Sequence, residues 1–225
     1  MRAPLLLSAA LLVWSGVANL VIGERAYVAR NLVLVAVLLT VAWRAGLGRD
    51  DVGLAVARIS SGLRWGVGAA AVVATVLVAA VALADVVPGI ATLLADARAD
   101  AIGDGLLYAT LVRIPLGTAV FEEVAFRGVL LGWLLRVVTT PRAVMISSVV
   151  FGLWHIPPAT VTLMINDIPV GSAEGIAAII GAVVVTTVAG GMFSWLRLRS
   201  GSLVAPTLAH WATNSLGLLA STAAP

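Results

Sequence analysis

The chain contains no cysteine. That absence removes disulfides, thiolate metal sites and a thiol nucleophile together. It also has no lysine, so all fourteen basic residues are arginine. With Ala, Val, Gly and Leu dominating, this usage reads as that of a GC-rich bacterial genome. Charge of either sign is scarce: 11% of the 225 residues are charged, against roughly 25% in an average soluble domain. Less than half the usual supply cannot cover a water-exposed surface. The apolar residues, 61% of the chain, fall in long blocks, and uncharged blocks of about 18 or more residues mark membrane-spanning helices. A net charge of +3 raises nucleic acid as a partner. The arginines, however, are scattered singly at helix ends with no aromatic-interleaved basic patch, so the expected surroundings are a lipid bilayer and no nucleic acid.

Seven apolar runs stand out, at about 4–22, 31–47, 65–87, 105–138, 142–157, 175–196 and 202–221. The expectation is an all-α polytopic bundle of about seven spans, with room for an eighth short one. It is read as one transmembrane domain over 1–225, with N-terminal spans in 1–104 and a polar, motif-bearing core in 105–221. The first run has only Arg2 before it and no small-residue cleavage site after it, which reads as a retained span. The fourth is too long for one straight crossing and carries Arg113 and Pro115, so a short outer segment is expected to lead into it.

Arginine placement orients the chain. With the N-terminus cytoplasmic, the inner segments hold Arg2, Arg44, Arg49, Arg58, Arg64, Arg136, Arg142, Arg197 and Arg199. The outer ones hold only Arg25, Arg30 and Arg98, leaving Arg113 and Arg127 within the membrane. Trp43, Trp65, Trp133 and Trp195 lie beside the inner arginines, as an aromatic belt would. The outer loop around Asp96, Asp100 and Asp104 is acidic, and 158–174 has no basic residue. The inner stretch 48–64 reads equally as a solvated connector or an interfacial amphipathic segment.

Ionisable groups inside a membrane are costly and default to functional hypotheses. Here they are Glu122, Glu123 and Arg127 in the fourth run, His155 in the fifth, and His210 with Asn214 in the seventh; no other histidine occurs. Glu123 and Arg127, four apart with the acid first, suit an ion pair along one helix face. Glu122 points roughly 100° away and has no partner on its own helix, which fits a general base for water. Counted from the inner ends at about 1.5 Å per residue, Glu122 lies roughly 22 Å deep, with His155 and Asn214 each roughly 20 Å deep. His210 is one turn shallower and shares a face with Asn214. One polar cluster of Glu122, His155, His210 and Asn214 is therefore expected. Helix-to-helix hydrogen bonding is the bland alternative for any single member. Phe151 reads as packing, Trp154 and Trp211 equally as site shields or lipid contacts, and the Gly128/Gly132 and Gly190/Gly191 pairs as close-approach points for another helix.

These residues resemble a known set. Glu122-Glu123-Val-Ala-Phe-Arg127 is similar to EExxxR, Phe151-Gly-Leu-Trp-His155 to FxxxH, and His210-Trp-Ala-Thr-Asn214 to HxxxN. In that order on three late helices they resemble the CAAX protease and bacteriocin-processing (CPBP, or Abi) family of type II CAAX prenyl endopeptidases. The resemblance covers about residues 105–221. It implies a glutamate-type intramembrane endopeptidase in which Glu122 and His155 activate water while His210 and Asn214 stabilise the oxyanion. Each such donor is worth about 3 kcal/mol. Glu123 and Arg127 would support the motif helix. No cofactor is favoured. The family's older description as metalloprotease keeps a zinc site of Glu122, His155 and His210 as the alternative, assembled from separate helices because HExxH is absent. The implied partner is a membrane-associated peptide or protein substrate, such as a bacteriocin precursor, at a bacterial plasma membrane. A bacteriocin-immunity or scaffold protein is the non-enzymatic alternative. A proton relay is a third, weakened by the absence of an inverted repeat.

Overall fold

In lipid every backbone N–H and C=O must be satisfied within the chain, and helices do this over uninterrupted apolar runs. The computed structural model describes residues 2–24, 26–94 and 105–223, and among them there is no strand. Arg25, Arg98, Asp96, Asp100 and Asp104, on which part of the orientation argument rests, lie outside the described residues.

Five helical segments are long and apolar enough to cross a membrane: α1 (Arg2–Ile22), α2 (Tyr27–Arg44), α4 (Ile59–Ala84, the apolar part of Arg49–Ala84), α7 with α8 (Thr140–Ile165) and α9 (Ala173–Ser200). Between them lie the single turn α3 (Arg49–Val52) and the short α5 (Pro88–Leu94). The two remaining expected spans are also helical: α6 over 106–135 and α10 (Val204–Ala223). They fall outside the five for the reason that makes them interesting. Each interrupts its apolar run with the polar residues of the motifs. Outward faces are largely apolar, as with Val67, Val72 and Val76 on α4 and Val185 and Val188 on α9; exposed Thr40 and Thr75 return their hydroxyls to their own helix carbonyls, and the charged motif residues are buried.

Two proline sites depart from the expected pattern. Pro115 does not end a short outer segment; α6 continues through it in a wide turn where Val120 N–H bonds to Pro115 O, five residues back. A proline at 115 offers no N–H to Thr110 O in such a turn. That carbonyl instead accepts from Trp211 Nε1 at 2.7 Å and Ser215 Oγ at 2.9 Å, both on α10. The second site is Pro157–Pro158. The fifth run does not stop near 157 but restarts: α7 (Thr140–Trp154) closes at His155 and α8 (Ile156–Ile165) begins with prolines in its first turn, where their missing N–H groups cost nothing. Trp154 O, which Pro158 cannot serve, accepts from Ser15 Oγ of α1 at 2.6 Å.

Stretch 48–64 is neither a plain connector nor a surface helix. Val52 is fully buried and joins Leu47, Ala42, Val124, Val129 and Leu203 in one apolar cluster. Its turn closes the arginine-rich end of the bundle. Arg136 Nη2 bonds Asp51 Oδ2 at 2.7 Å, Arg197 Nη2 donates to the carbonyls of Asp50 and Asp51, and Leu203 N–H reaches Gly53 O. Gly132 explains the close approach: a Cβ there would sit 2.9 Å from Asp51 O. The Gly128/Gly132 pair thus admits a backbone turn and not a further helix. Arg113 is likewise corrected. It is not stranded inside the membrane, because Nη2 pairs with Glu24 at 2.6 Å at the opposite end.

A cysteine-free chain makes orientation directly measurable. Arg49 and Glu174 are exposed at opposite ends of the bundle. With the N-terminus cytoplasmic, Glu174→Cys is expected to react with an impermeant maleimide in intact cells and Arg49→Cys only after permeabilisation. The reverse pattern would invert the topology.

Candidate active site

The site grows from the middle of α6, where neighbouring glutamates meet one imidazole. Glu123 is fully buried, and its Oε1 accepts from Arg127 Nη1 at 3.0 Å along the helix. The expected clip is present. It has a second function that its spacing does not announce: the same oxygen accepts from His210 Nδ1 of α10 at 2.8 Å. Glu123 therefore ties α6 to α10 while holding Arg127. His210 Nε2 then lies 3.7 Å from Glu122 Oε2, beyond direct hydrogen-bond length.

Glu122, 6% exposed, has no partner on its own helix. Its Oε1 accepts from Trp154 Nε1 on α7 at 3.3 Å, whereas Oε2 is buried without a hydrogen-bond partner among the described residues. Trp154 is buried and so belongs to the site, not to a lipid-facing surface. Its position is steadied by Phe121 and Phe126, with ring centroids 5.7 and 5.6 Å away.

His155 owes its geometry to the break between α7 and α8. Its backbone N–H bonds Gly152 O instead of Phe151 O, and Nδ1 takes the freed Phe151 carbonyl at 2.7 Å. A carbonyl only accepts, so the ring proton sits on Nδ1 and Nε2 carries the lone pair in the neutral ring. Phe151 separates the two histidines, its centroid 4.5 Å from His155 and 6.2 Å from His210. Asn214 is half-buried one turn beyond His210 and makes no side-chain hydrogen bond to the described residues. The fold thus joins Glu123, Arg127 and His210 by direct polar contact, holds Glu122 through Trp154 with its Oε2 3.7 Å from His210 Nε2, sets His155 against the shared Phe151, and leaves Asn214 on the flank.

Three contributions escaped sequence reasoning. The Glu123–His210 bond did, because helical spacing accounts only for pairs on one helix. Trp154 as donor to Glu122 did too, although its place before His155 inside FxxxH was a usable signal. The third is an aromatic cage around Arg127, which is 1% exposed: its guanidinium carbon lies 3.9 Å from the Phe151 centroid and 5.2 Å from that of Phe193. Phe193 in turn stacks on His210 at 5.0 Å and 17°. Cation–π attraction strengthens as water is removed. Gly190 on α9 makes room, since a Cβ there would meet Arg127 Nη2 at 3.2 Å and Ser148 Cα at 3.1 Å.

For zinc, the geometry is a poor fit. Among the described residues no three His, Asp or Glu side chains converge as ligands of one ion. The Nδ1 bonds of His210 to Glu123 and of His155 to a backbone carbonyl leave both Nε2 atoms open, so the poor fit rests on the lack of convergence. Glu122, His155 and His210 do not form the alternative ligand triad in this arrangement.

Removing one partner of a buried pair leaves the other charge uncompensated, at about 3–5 kcal/mol. Arg127→Leu is expected to lower unfolding stability in detergent by that amount. Adding Glu123→Gln is expected to restore part of it, because the uncompensated carboxylate is gone. Equal stability of Arg127→Leu and wild type would contradict this account of the clip.

Comparison with curated proteins and with solved structures gives no match. Residues 104–216, about half the chain and containing all three motifs, match the family described as type II CAAX prenyl endopeptidase Rce1-like. The chain therefore belongs to the type II CAAX prenyl endopeptidase Rce1-like family, a family of membrane proteases.

Proposed function

We propose that the chain is a glutamate-type intramembrane endopeptidase that hydrolyses a peptide bond in a membrane-associated peptide or protein, acting in a bacterial plasma membrane. The observation that carries this reading is Glu122: a buried carboxylate with one oxygen unpartnered and His210 Nε2 3.7 Å from it. A network that only tied helices together would account for Glu123, Arg127 and His210. It gives no reason to bury a second carboxylate beside it: Glu123 Oε2 is unpartnered too, but Glu123 is held through Oε1 by Arg127 and His210, whereas Glu122 is paired with no arginine among the described residues.

In this reading Glu122 takes a proton from water, and His155 Nε2 accepts a hydrogen bond that orients the same water. The water oxygen attacks the scissile carbonyl carbon, whose oxygen gains the negative charge. His210 Nε2–H and the Asn214 amide donate to that oxyanion. Donation from Nε2 while Nδ1 holds Glu123 uses both ring N–H groups of His210, and the Glu123 bond fixes the direction in which Nε2 points. The proton on Glu122 passes to the leaving nitrogen as the C–N bond breaks, yielding a carboxylic acid and an amine, between which the second water proton then moves to give a carboxylate and an ammonium. Arg127 and Glu123 act as positioning residues, and Trp154 orients Glu122. No step is routed through a metal ion.

Folded Glu122→Gln and His155→Ala variants are expected to lose cleavage of a membrane reporter peptide. Trp154→Phe keeps the ring but not the N–H; a hydrogen bond to a charged group is worth about 1.5–3 kcal/mol, so a drop in kcat of roughly 10- to 100-fold is expected. Wild-type rates in Glu122→Gln would end the proposal, and in that case lost thermal stability with intact bacteriocin protection would favour the scaffold reading. Comparing membrane-protein termini between wild type and Glu122→Gln cells would name the substrate. Dialysis against a chelator is expected to leave cleavage unchanged; loss of activity restored by zinc would require a ligand set other than the one described.

A further inference from the structure

The arginine-rich end carries a second feature, far from the glutamates in sequence and unused by the reaction. On its flank, Trp65 of α4 and Trp195 of α9 meet edge to face, centroids 5.4 Å apart at 89°. They frame an apolar groove of about 440 Å³, lined also by Arg64, Gly68, Val72 and Leu196. Next to it lies a polar cavity of about 290 Å³ with Asp50, Arg58, Ser61, Arg197, Arg199 and Ser200 in its walls. Arg199 joins the two, since its guanidinium carbon stands 5.6 Å over the Trp65 ring while it lines the cavity.

We propose that this paired groove and cavity bind one anionic phospholipid, with the phosphate among the arginines and an acyl chain against the tryptophans. Charge is the first argument. The cavity walls hold three arginines against one aspartate, and Arg64 at the mouth of the groove adds a fourth cation. Arg58, Arg64 and Arg199 make no ion pair with the described residues, unlike Arg136 with Asp51. Arg197 is different: its Nη2 is held by the carbonyls of Asp50 and Asp51 at 2.9 and 3.0 Å, which makes it a fixed wall beside Arg58 and Arg199. Basic pockets between membrane helices are where anionic headgroups settle, and tryptophan favours the headgroup level.

Length is the second argument and separates a lipid from a partner helix. From Arg64 to Val72 the groove covers about 12 Å of helix axis at 1.5 Å per residue. That is within one leaflet of a hydrocarbon core of about 30 Å. A partner helix would need contact along the whole face, whereas one acyl chain needs only its own leaflet. A free phosphate would use the arginines and leave the groove without a function. The proposal does not rest on the protease reading, because lipid retention is measured whether or not a peptide is cut.

The test is native mass spectrometry of the full chain released from detergent after incubation with phosphatidylglycerol or phosphatidylcholine. Wild type is expected to retain one phosphatidylglycerol and to shed phosphatidylcholine. An Arg58→Gln/Arg199→Gln variant is expected to bind phosphatidylglycerol more weakly by roughly fivefold per arginine removed. A charge-matched Arg44→Gln/Arg49→Gln variant at the same end is expected to behave as wild type, and inorganic phosphate to displace nothing. The proposal is overturned by equal retention of the two lipids, by undiminished binding in Arg58→Gln/Arg199→Gln, by equal loss in the charge-matched control, or by displacement with phosphate.

Discussion

One carboxylate oxygen holds the centre of this protein together. Glu123 Oε1 accepts from Arg127 on its own helix and from His210 on α10, within a fully buried space where an unshared charge could not persist. Everything nearby is arranged by that atom. Arg127 is pinned where Phe151 and Phe193 can cover its faces, and His210 is turned so that Nε2 addresses Glu122. The first glutamate of the pair is free for chemistry because the second absorbs the structural demand.

The backbone is bent to serve the same end. In the wide turn of α6 Pro115 offers no N–H to Thr110 O, and Trp211 and Ser215 supply the donors instead, which brings α10, and His210 with it, against α6. The break at His155 frees Phe151 O, and the imidazole takes it. At 115 and again at 158 a proline withholds an N–H, and a side chain from elsewhere supplies the missing donor. The early spans take part through the same currency: Ser15 serves Trp154 O, and Asn31 Nδ2 donates to Gly117 O at 2.7 Å. Family resemblance lies in the later half of the chain, yet that half is held in place by the earlier one.

The two ends of the bundle are built differently. At one, Glu24 and Arg113 pair in an exposed position. At the other, a buried turn with Val52 at its heart plugs the helices, and arginines beyond those needed for its hydrogen bonds are gathered around Trp65 and Trp195. A span-by-span reading treats both as connecting loops, because it has no measure of which loop returns into the core.

What the sequence alone determined is the helical class, the membrane setting and the candidates for one polar cluster, of which the structure sets His155 against Phe151 and leaves Asn214 on the flank. Each follows from one-dimensional properties: run length, charge scarcity and the cost of an ionisable residue inside an apolar helix. Glu122, Glu123, Arg127, His155, His210 and Asn214 were all legible in this way, and the Glu123–Arg127 pair followed from four-residue spacing. Only the tertiary structure decided the contacts between helices. It gave Glu123 its second partner and Trp154 its carboxylate, carried α6 through Pro115, restarted a helix after His155 and moved Arg113 to a bundle end. The physical reason is common to all five. Each depends on which backbone or side-chain group from a distant segment fills a hydrogen bond left open locally, and periodicity along one helix does not encode that.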